Sequence, residues 1–302
     1  MAATTRMPLN VRLLAIALRL GARLPLRVLH AIGGAIGRLP ALLRTREWRV
    51  ARKNAELCFP ALDADEKSRF VREALAETGR SLAELALVWS DAPRALAQIR
   101  EVRGLEHMDA ARAAGRGTIV AAPHLGAWEL LNLYLSTLGP LTFLYRVPQR
   151  PEYETLLVGA RTALGAEAVR AEGPSVRVLF KRLAANRLVG ILPDQRPKAG
   201  EGVDAPFFGH DVRTMTLLSR LAERTGAAVV FGFAERLPRG AGYVLHFMPA
   251  PAGIADADAV AAAAALNRAI EHCIARAPTQ YQWTYKRFSY REPGSGPDKV
   301  YG

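Results

Sequence analysis

The sequence predicts an α/β protein, a single domain built on a mixed, mostly parallel sheet flanked by helices, with a helical segment ahead of it. Three observations lead there. The 302 residues are 50% apolar and 23% charged, an ordinary globular composition that excludes a disordered, collagen-like or coiled-coil chain. From Gly104 onward, short apolar runs alternate with segments of helical period, the pattern of strands joined by crossover helices. Before that point the periodic stretches read as helices, and a chain this long buries enough surface to need no disulfide or metal staple.

The first segment, Leu9–Leu43, is apolar but interrupted at Arg12, Arg19, Arg23, Arg27 and Arg38. Its longest uncharged run, Val28–Gly37, is about half of the ~20 residues a membrane span requires. No apolar core followed by a small-residue cleavage site marks a secretory signal. Wound as a helix, Arg12, Arg19 and Arg23 fall within roughly 40° of one another, with leucines over much of the remaining surface and Pro25 breaking the run. An arginine stripe beside a wide apolar face suits a helix lying in a membrane interface. A shallow or tilted span, or a helix packed on its own domain, would fit as well. We therefore divide the chain into a membrane-associating segment, 1–45, and an α/β domain, 46–302.

Residues 62–90 predict a long amphipathic helix, opened by a capping box of Asp63 with Glu66. Further helices are expected at 106–114, 130–138, 152–164, 175–185, 214–224 and 256–275. Strands are expected at Thr118–Ala122, Leu141–Tyr145, Leu188–Leu192, Ala227–Phe233 and Tyr243–Phe247, and Tyr281–Phe288 reads as a last extended segment. In such sheets, sites form beyond the carboxyl ends of the strands.

Lys and Arg number 41 against 28 Asp and Glu, a net charge of +13. That balance favours an acidic partner: nucleic acid, an anionic membrane surface, a phosphorylated substrate or an acidic carrier. The basic residues are spread along the chain with no recognised nucleic-acid motif, which argues against nucleic acid. Cys58 and Cys273 form no spaced pair, so a reducing compartment is the default. The six histidines are scattered, with no metal-ligand spacing. Asp63-Ala-Asp65 and Asp256-Ala-Asp258 resemble a metal-binding DxD but stand at helix starts, where aspartate caps.

The sharpest local feature is Ala121-Ala122-Pro123-His124-Leu125-Gly126-Ala127-Trp128-Glu129. His124 follows a buried strand where the chain turns toward a helix. On one continuous helix His124 and Glu129 would point roughly 140° apart. They meet only if His124 lies in the loop and Glu129 in the first turn, a geometry Pro123 and Gly126 permit. A carboxylate on the imidazole fixes its tautomer and leaves the other nitrogen to take a proton from a hydroxyl. The adjacent helix start offers N–H groups to a developing oxyanion. These parts suit acyl transfer to an alcohol. No G-x-S-x-G elbow supplies a serine nucleophile. A histidine satisfied within its loop is the bland account of the same residues.

This block resembles the first motif of the bacterial lipid A late acyltransferases, within the wider lysophospholipid acyltransferase superfamily. The resemblance continues in order through Leu144-Tyr145-Arg146, through Arg161 before Leu164-Gly165, and through Gly190-Ile191-Leu192-Pro193-Asp194-Gln195. It then covers Ala205-Pro206-Phe207-Phe208-Gly209 with Thr214, and Pro278-Thr279-Gln280-Tyr281-Gln282-Trp283 with Lys286-Arg287-Phe288, spanning most of 118–290. It implies a glycerolphosphate-acyltransferase-like fold. It also implies transfer of an acyl chain from acyl carrier protein to a hydroxyl of a lipid A precursor, at the cytoplasmic face of the inner membrane, with no cofactor or metal. His124 would be the general base and Glu129 its orienting carboxylate. Arg146 and Arg161 would face phosphate, which guanidinium grips as a fork. Asp194 and Gln195 would support the site or bind substrate, or form a turn. Phe207 and Phe208, with Gly209, would line an acyl slot or belong to the core, and Lys286 and Arg287 would contact headgroup or carrier. The same chemistry would serve another acceptor, such as a lysophospholipid, an ornithine lipid or a mannosylated lipid. A non-catalytic basic binding protein is the reading from a different class.

Overall fold

A computed structural model describes residues 8–171, 175–198, 200–289 and 300–301. Four helices come first: α1 (Leu9–Gly21), α2 (Leu26–Leu42), α3 (Arg46–Cys58) and α4 (Ala64–Ser90). Pro25 sits at the break between α1 and α2, where its ring ends one helix and starts the next. The expected capping box opens α4: Asp63 accepts from the Glu66 N–H at 2.7 Å, and Glu66 accepts from the Asp63 N–H at 2.9 Å. α2 lies directly on α4. A Cβ at Gly37 would collide with the Leu75 carbonyl oxygen and one at Gly79 with the Gly33 carbonyl oxygen, so glycines alone allow this backbone approach.

The α/β part follows as α5 (Ala92–Leu96), β1 (Ile99–Arg103), α6 (Leu105–Ala113), β2 (Thr118–Ala121), α7 (Trp128–Leu138), β3 (Leu141–Tyr145) and α8 (Glu154–Arg161). It continues with β4 (Glu167–Arg170), α9 (Val176–Ala184), β5 (Leu188–Ile191), β6 (Val203–Phe207), β7 (His210–Thr214) and α10 (Leu217–Thr225). Last come β8 (Ala228–Arg236), β9 (Tyr243–Pro249) and α11 (Ala259–Arg276). Seven strands form one sheet in the order β1-β9-β8-β2-β5-β3-β4. All neighbours are parallel except β8 with β9. Alternate residues of β2 enter opposite cores. Ile119 and Ala121 join the side with α3, α9, α10 and α11, and Val120 joins the side with α5, α6 and α7.

The mixed, mostly parallel α/β sheet agrees with the sequence-based expectation, and the differences have local causes. β1 and β4 escaped the pattern because they are edge strands with charged, half-exposed sequences, IREVR and EAVR. The helix expected at 214–224 starts only at Leu217, because Thr214 ends β7 in a separate two-stranded hairpin. Among the described residues Tyr281–Phe288 makes one isolated bridge, Tyr281 with Leu125, and otherwise runs as turns and a bend. Asp258 caps α11 by accepting from the Val260 N–H.

Candidate active site

Register builds the site. Ala121 at the end of β2 pairs with Ile191 at the end of the parallel strand β5. From there the two chains run on alike, Ala122-Pro123-His124 and Leu192-Pro193-Asp194. Equal offsets from a matched register bring His124 face to face with Asp194. His124 Nδ1 lies 2.8 Å from Asp194 Oδ1, and the His124 backbone N–H donates to Oδ2 at 2.9 Å. Asp194 is buried to 2% exposure. Burial works against its ionisation, but the His124 ring charge, its hydrogen bond and two backbone N–H groups overcome this and hold the carboxyl below its ordinary pKa. An ionised Asp194 accepts only, so a neutral imidazole carries its proton on Nδ1 and its lone pair on Nε2.

Gln195 meets that lone pair. Its Nε2 lies 3.2 Å from His124 Nε2 and 3.2 Å from Gln282 Oε1. The Gln282 N–H in turn donates to the His124 carbonyl at 3.0 Å, so the C-terminal segment braces the loop. A buried cation braces it from the other side. Arg236, at the end of β8, donates to the Gly126 carbonyl at 2.7 Å, to both carboxylate oxygens of Glu84 at 2.8 Å, to Glu77 at 3.0 Å and to Ser81 at 2.5 Å. His30 on α2 and Tyr243 also reach Glu84. Gly126 has φ +63°, and a Cβ there would strike the Ala234 carbonyl oxygen.

The expected contact between His124 and Glu129 is replaced. Glu129, in the first turn of α7, holds Arg161 instead: Arg161 Nε reaches Oε2 at 2.9 Å and Oε1 at 3.1 Å, and Nη2 also bonds Oε1. The Trp89 indole donates to Glu129 as well, at 3.2 Å. Burial alone would lower the pKa of Arg161; the Glu129 charge and hydrogen bonds reverse that and hold it above its ordinary value. A forked bond to carboxylate is what the sequence assigned to phosphate, and here it is already filled.

His124, Gln195, Tyr145, Arg146, Arg161, Leu192 and Lys198 line one cleft of about 420 Å3. Arg146 donates from Nη2 to the Arg196 carbonyl at 3.1 Å and has no carboxylate partner among the described residues. Beside the cleft, under Glu129 and Arg161, a narrow apolar slot of about 30 Å3 runs among Leu131, Leu135, Phe143 and Gly190.

Phe207, Phe208 and Gly209 do not line this cleft. Phe207 is 1% exposed in the core, and Phe208-Gly209 is the two-residue turn of the β6–β7 hairpin. Both turn residues have positive φ, +48° and +76°, as a type I′ hairpin needs, and the Phe208 ring packs on Phe59 and Trp283. Arg287, expected at a headgroup or carrier, is buried at 2% exposure. It donates to the Arg213 carbonyl at 2.6 Å, and burial lowers its pKa. Sequence reasoning placed Asp194 near the site without its role. The shared strand-x-Pro-polar pattern of Ala121–His124 and Ile191–Asp194 was the signal for it. Both cysteines are buried, and burial raises the Cys273 thiol to about 12 and drives Cys58 up still further, which disfavours the thiolate at both. Among the described residues no group of three His, Cys, Asp or Glu side chains could hold a metal ion.

The same chain resembles characterised proteins along most of its length. It is 29% identical over 273 residues to the lipid A biosynthesis lauroyltransferase of Escherichia coli K12, covering 90% of this chain and 89% of that protein. It is 30% identical over 275 residues to the palmitoleoyltransferase of the same strain, covering 90% and 88%. A shorter stretch of 138 residues is 36% identical to a phosphatidylinositol mannoside acyltransferase of Mycobacterium tuberculosis, covering 43% and 42%. The family model described as bacterial lipid A biosynthesis acyltransferase matches residues 4–290, which span every element described above, and the chain belongs to that family.

Proposed function

We propose that this protein transfers a fatty acyl chain from an acyl carrier protein thioester to a hydroxyl of a lipid A precursor, at the cytoplasmic face of the inner membrane. One observation carries the chemistry: a buried Asp194 holds the Nδ1–H of His124 and leaves Nε2 toward the cleft. The acceptor hydroxyl displaces the Gln195 amide from Nε2 and gives its proton to the imidazole. The alkoxide attacks the thioester carbonyl, the new C–O bond forms, and the C–S bond breaks. The imidazolium returns its proton to the departing thiolate. Displaced from Nε2, the Gln195 N–H is free to donate to the oxyanion. The carboxylate that orients the base is Asp194, and Glu129 instead anchors Arg161 at the cleft wall. Arg146 and Lys198 supply positive charge for phosphate on the acceptor or on the carrier's arm.

The N-terminal helices fit a membrane seat. Apart from Leu82 and Val260, the large apolar side chains that the described residues expose all lie between Leu9 and Leu43, including Leu13, Leu20, Ile32, Ile36 and Leu42. No single described helix is long and apolar enough to cross a membrane, and α2 with α3 meet that requirement only as a pair bent by 84°. This favours lying in the interface, with arginines toward the headgroups. A mannosylated phospholipid acceptor is the second reading, favoured by the 36% identical stretch. The test is purified protein with acyl carrier thioester and each acceptor in turn, products read by mass spectrometry, beside the His124→Ala variant. Transfer to the lipid A precursor that vanishes in the variant supports the proposal. Preference for the mannosylated lipid, or undiminished transfer by the variant, refutes it.

A further inference from the structure

A second cavity lies on the other side of α8. It is a groove of about 570 Å3 between α1 and α8, lined also by Trp89 and Ser90 of α4. That volume is in the usual range for small-molecule sites, roughly 300–1,000 Å3. Two arginines, Arg12 and Arg19, stand along it. Both are exposed, and neither has a carboxylate partner among the described residues. They are two turns apart on one helix, about 10.5 Å along its axis. Apolar side chains such as Ile16 and Leu156 make up the rest of the wall.

α8 is a partition. Its Leu156 and Gly159 face the groove, and its Leu157 and Arg161 face the His124 cleft. The two spaces also share a wall of three side chains: Trp89 lines the groove, its indole bonds Glu129, and Glu129 holds Arg161. The same helix α1 exposes Leu13 and Leu20 to solvent.

We infer that this groove binds the phosphate-bearing acceptor lipid, with an acyl chain along the apolar wall and phosphate against Arg12 and Arg19, so that α8 separates the seated chain from the hydroxyl-accepting cleft. Unpaired guanidinium groups over an apolar trough complement an anionic amphiphile and neither a neutral lipid nor a bare anion. That the occupant is the acceptor rests on the acyltransferase reading; that it is a phosphorylated lipid rests on the groove alone.

Gly159 gives a clean test. A Cβ there meets no atom within 4 Å outside its own helix, and the residue lies in a helix without positive φ, so the backbone accepts a side chain at 159 and Gly159→Leu projects one into the groove. Binding of dioctanoyl phosphatidic acid to the full chain is measured by calorimetry below its micelle concentration, with dioctanoylglycerol and inorganic phosphate as comparisons. The expected result is that only the phosphatidic acid binds, and that Gly159→Leu, and Arg12→Gln with Arg19→Gln, each weaken it about tenfold or more. The same variants should raise the acceptor KM by a similar factor while kcat and acceptor-free thioester hydrolysis stay unchanged. Unaltered lipid binding in Gly159→Leu, or inorganic phosphate binding as tightly as the lipid, overturns the site. Weakened lipid binding with an unaltered acceptor KM overturns the acceptor as its occupant. Wild-type protein that binds the lipid but transfers nothing removes the acyltransferase reading and leaves the lipid site standing.

Discussion

Replacing Asp194 by asparagine changes almost no volume and removes one charge, yet it should disable the base. Asp194 receives the His124 ring N–H on Oδ1 and the His124 backbone N–H on Oδ2, one on each oxygen. An asparagine has one oxygen to offer. The backbone N–H is a fixed donor, so the amide oxygen goes there and the amide NH2 faces Nδ1. The imidazole then moves its proton to Nε2, and the lone pair that should accept the acceptor proton is gone. General-base catalysis is worth about 10²–10⁴ in rate, or ~3–5 kcal/mol of barrier at about 1.4 kcal/mol per tenfold. The expected kcat falls by that factor, close to the loss in His124→Ala, while acceptor KM moves little because the acceptor contacts remain. The assay is initial rate against acceptor concentration at saturating thioester, with far-UV circular dichroism to check the fold. Glu129→Gln is the control, since Glu129 bonds Arg161 and Trp89. An Asp194→Asn enzyme within about threefold of wild type, beside a Glu129→Gln enzyme that loses the full factor, would refute this account of which carboxylate serves the imidazole.

Gln195→Leu should lower kcat about a hundredfold with little change in KM, the usual scale for losing one oxyanion donor; a pure KM effect in steady-state rates would make Gln195 a ground-state contact. Arg236→Met should cost about 3–5 kcal/mol in urea unfolding, because it strands Glu84 and Glu77 without their buried cation; a loss below about 1 kcal/mol would show the network to be dispensable. Stability should also fall in acid. Burial pushes the Glu84 carboxyl up, but Arg236 and His30 outweigh it and leave its pKa lowered, as His124 does for Asp194. A depressed folded pKa contributes stability above the unfolded value, about pH 4, that is lost as pH drops through the folded value; unfolding midpoints flat from pH 5 to 2 would contradict this. Arg12, Arg19 and Arg23 changed together to Gln should weaken anionic-vesicle binding by about 3 kcal/mol, at ~1 kcal/mol each, and unchanged co-sedimentation would leave apolar insertion as the sole attachment.

The sheet was legible because its central strands are buried on both faces. TIVA and LVGI read as continuous apolar runs, with every residue buried. The β6–β7 hairpin was not, because its turn is Phe208-Gly209, and a phenylalanine at positive φ is not a residue that announces a turn. The FFG block was read as an acyl-slot lining or as core, and core is what it forms: the Phe208 ring packs on Phe59 and Trp283, and the Phe207 ring on Phe208 and Phe288. His124 was legible from its strand-Pro-His-Gly setting. Its partner was not, because spacing along the chain favoured Glu129, five residues away, over Asp194, seventy residues away.

Why Glu129 cannot serve His124 follows from the backbone. α7 begins at Trp128, and Ala127, just before it, donates its N–H to the Ala234 carbonyl on β8 while Gly126 donates to the Gln280 carbonyl. Those two bonds fix the loop, and Arg236 fixes its Gly126 carbonyl from behind. Glu129 is then carried into the wall between α7 and α8. There a carboxylate at 7% exposure requires a cation, and Arg161 at the end of α8 supplies it. The pair holds α8 against α7, and α8 forms a wall of the cleft. The carboxylate nearest to His124 in sequence thus shapes the wall of the site, and the one that meets the imidazole arrives on the neighbouring strand. A parallel β2–β5 pair makes that second arrangement robust: any residue at the same offset beyond matched strand ends is delivered to the same place.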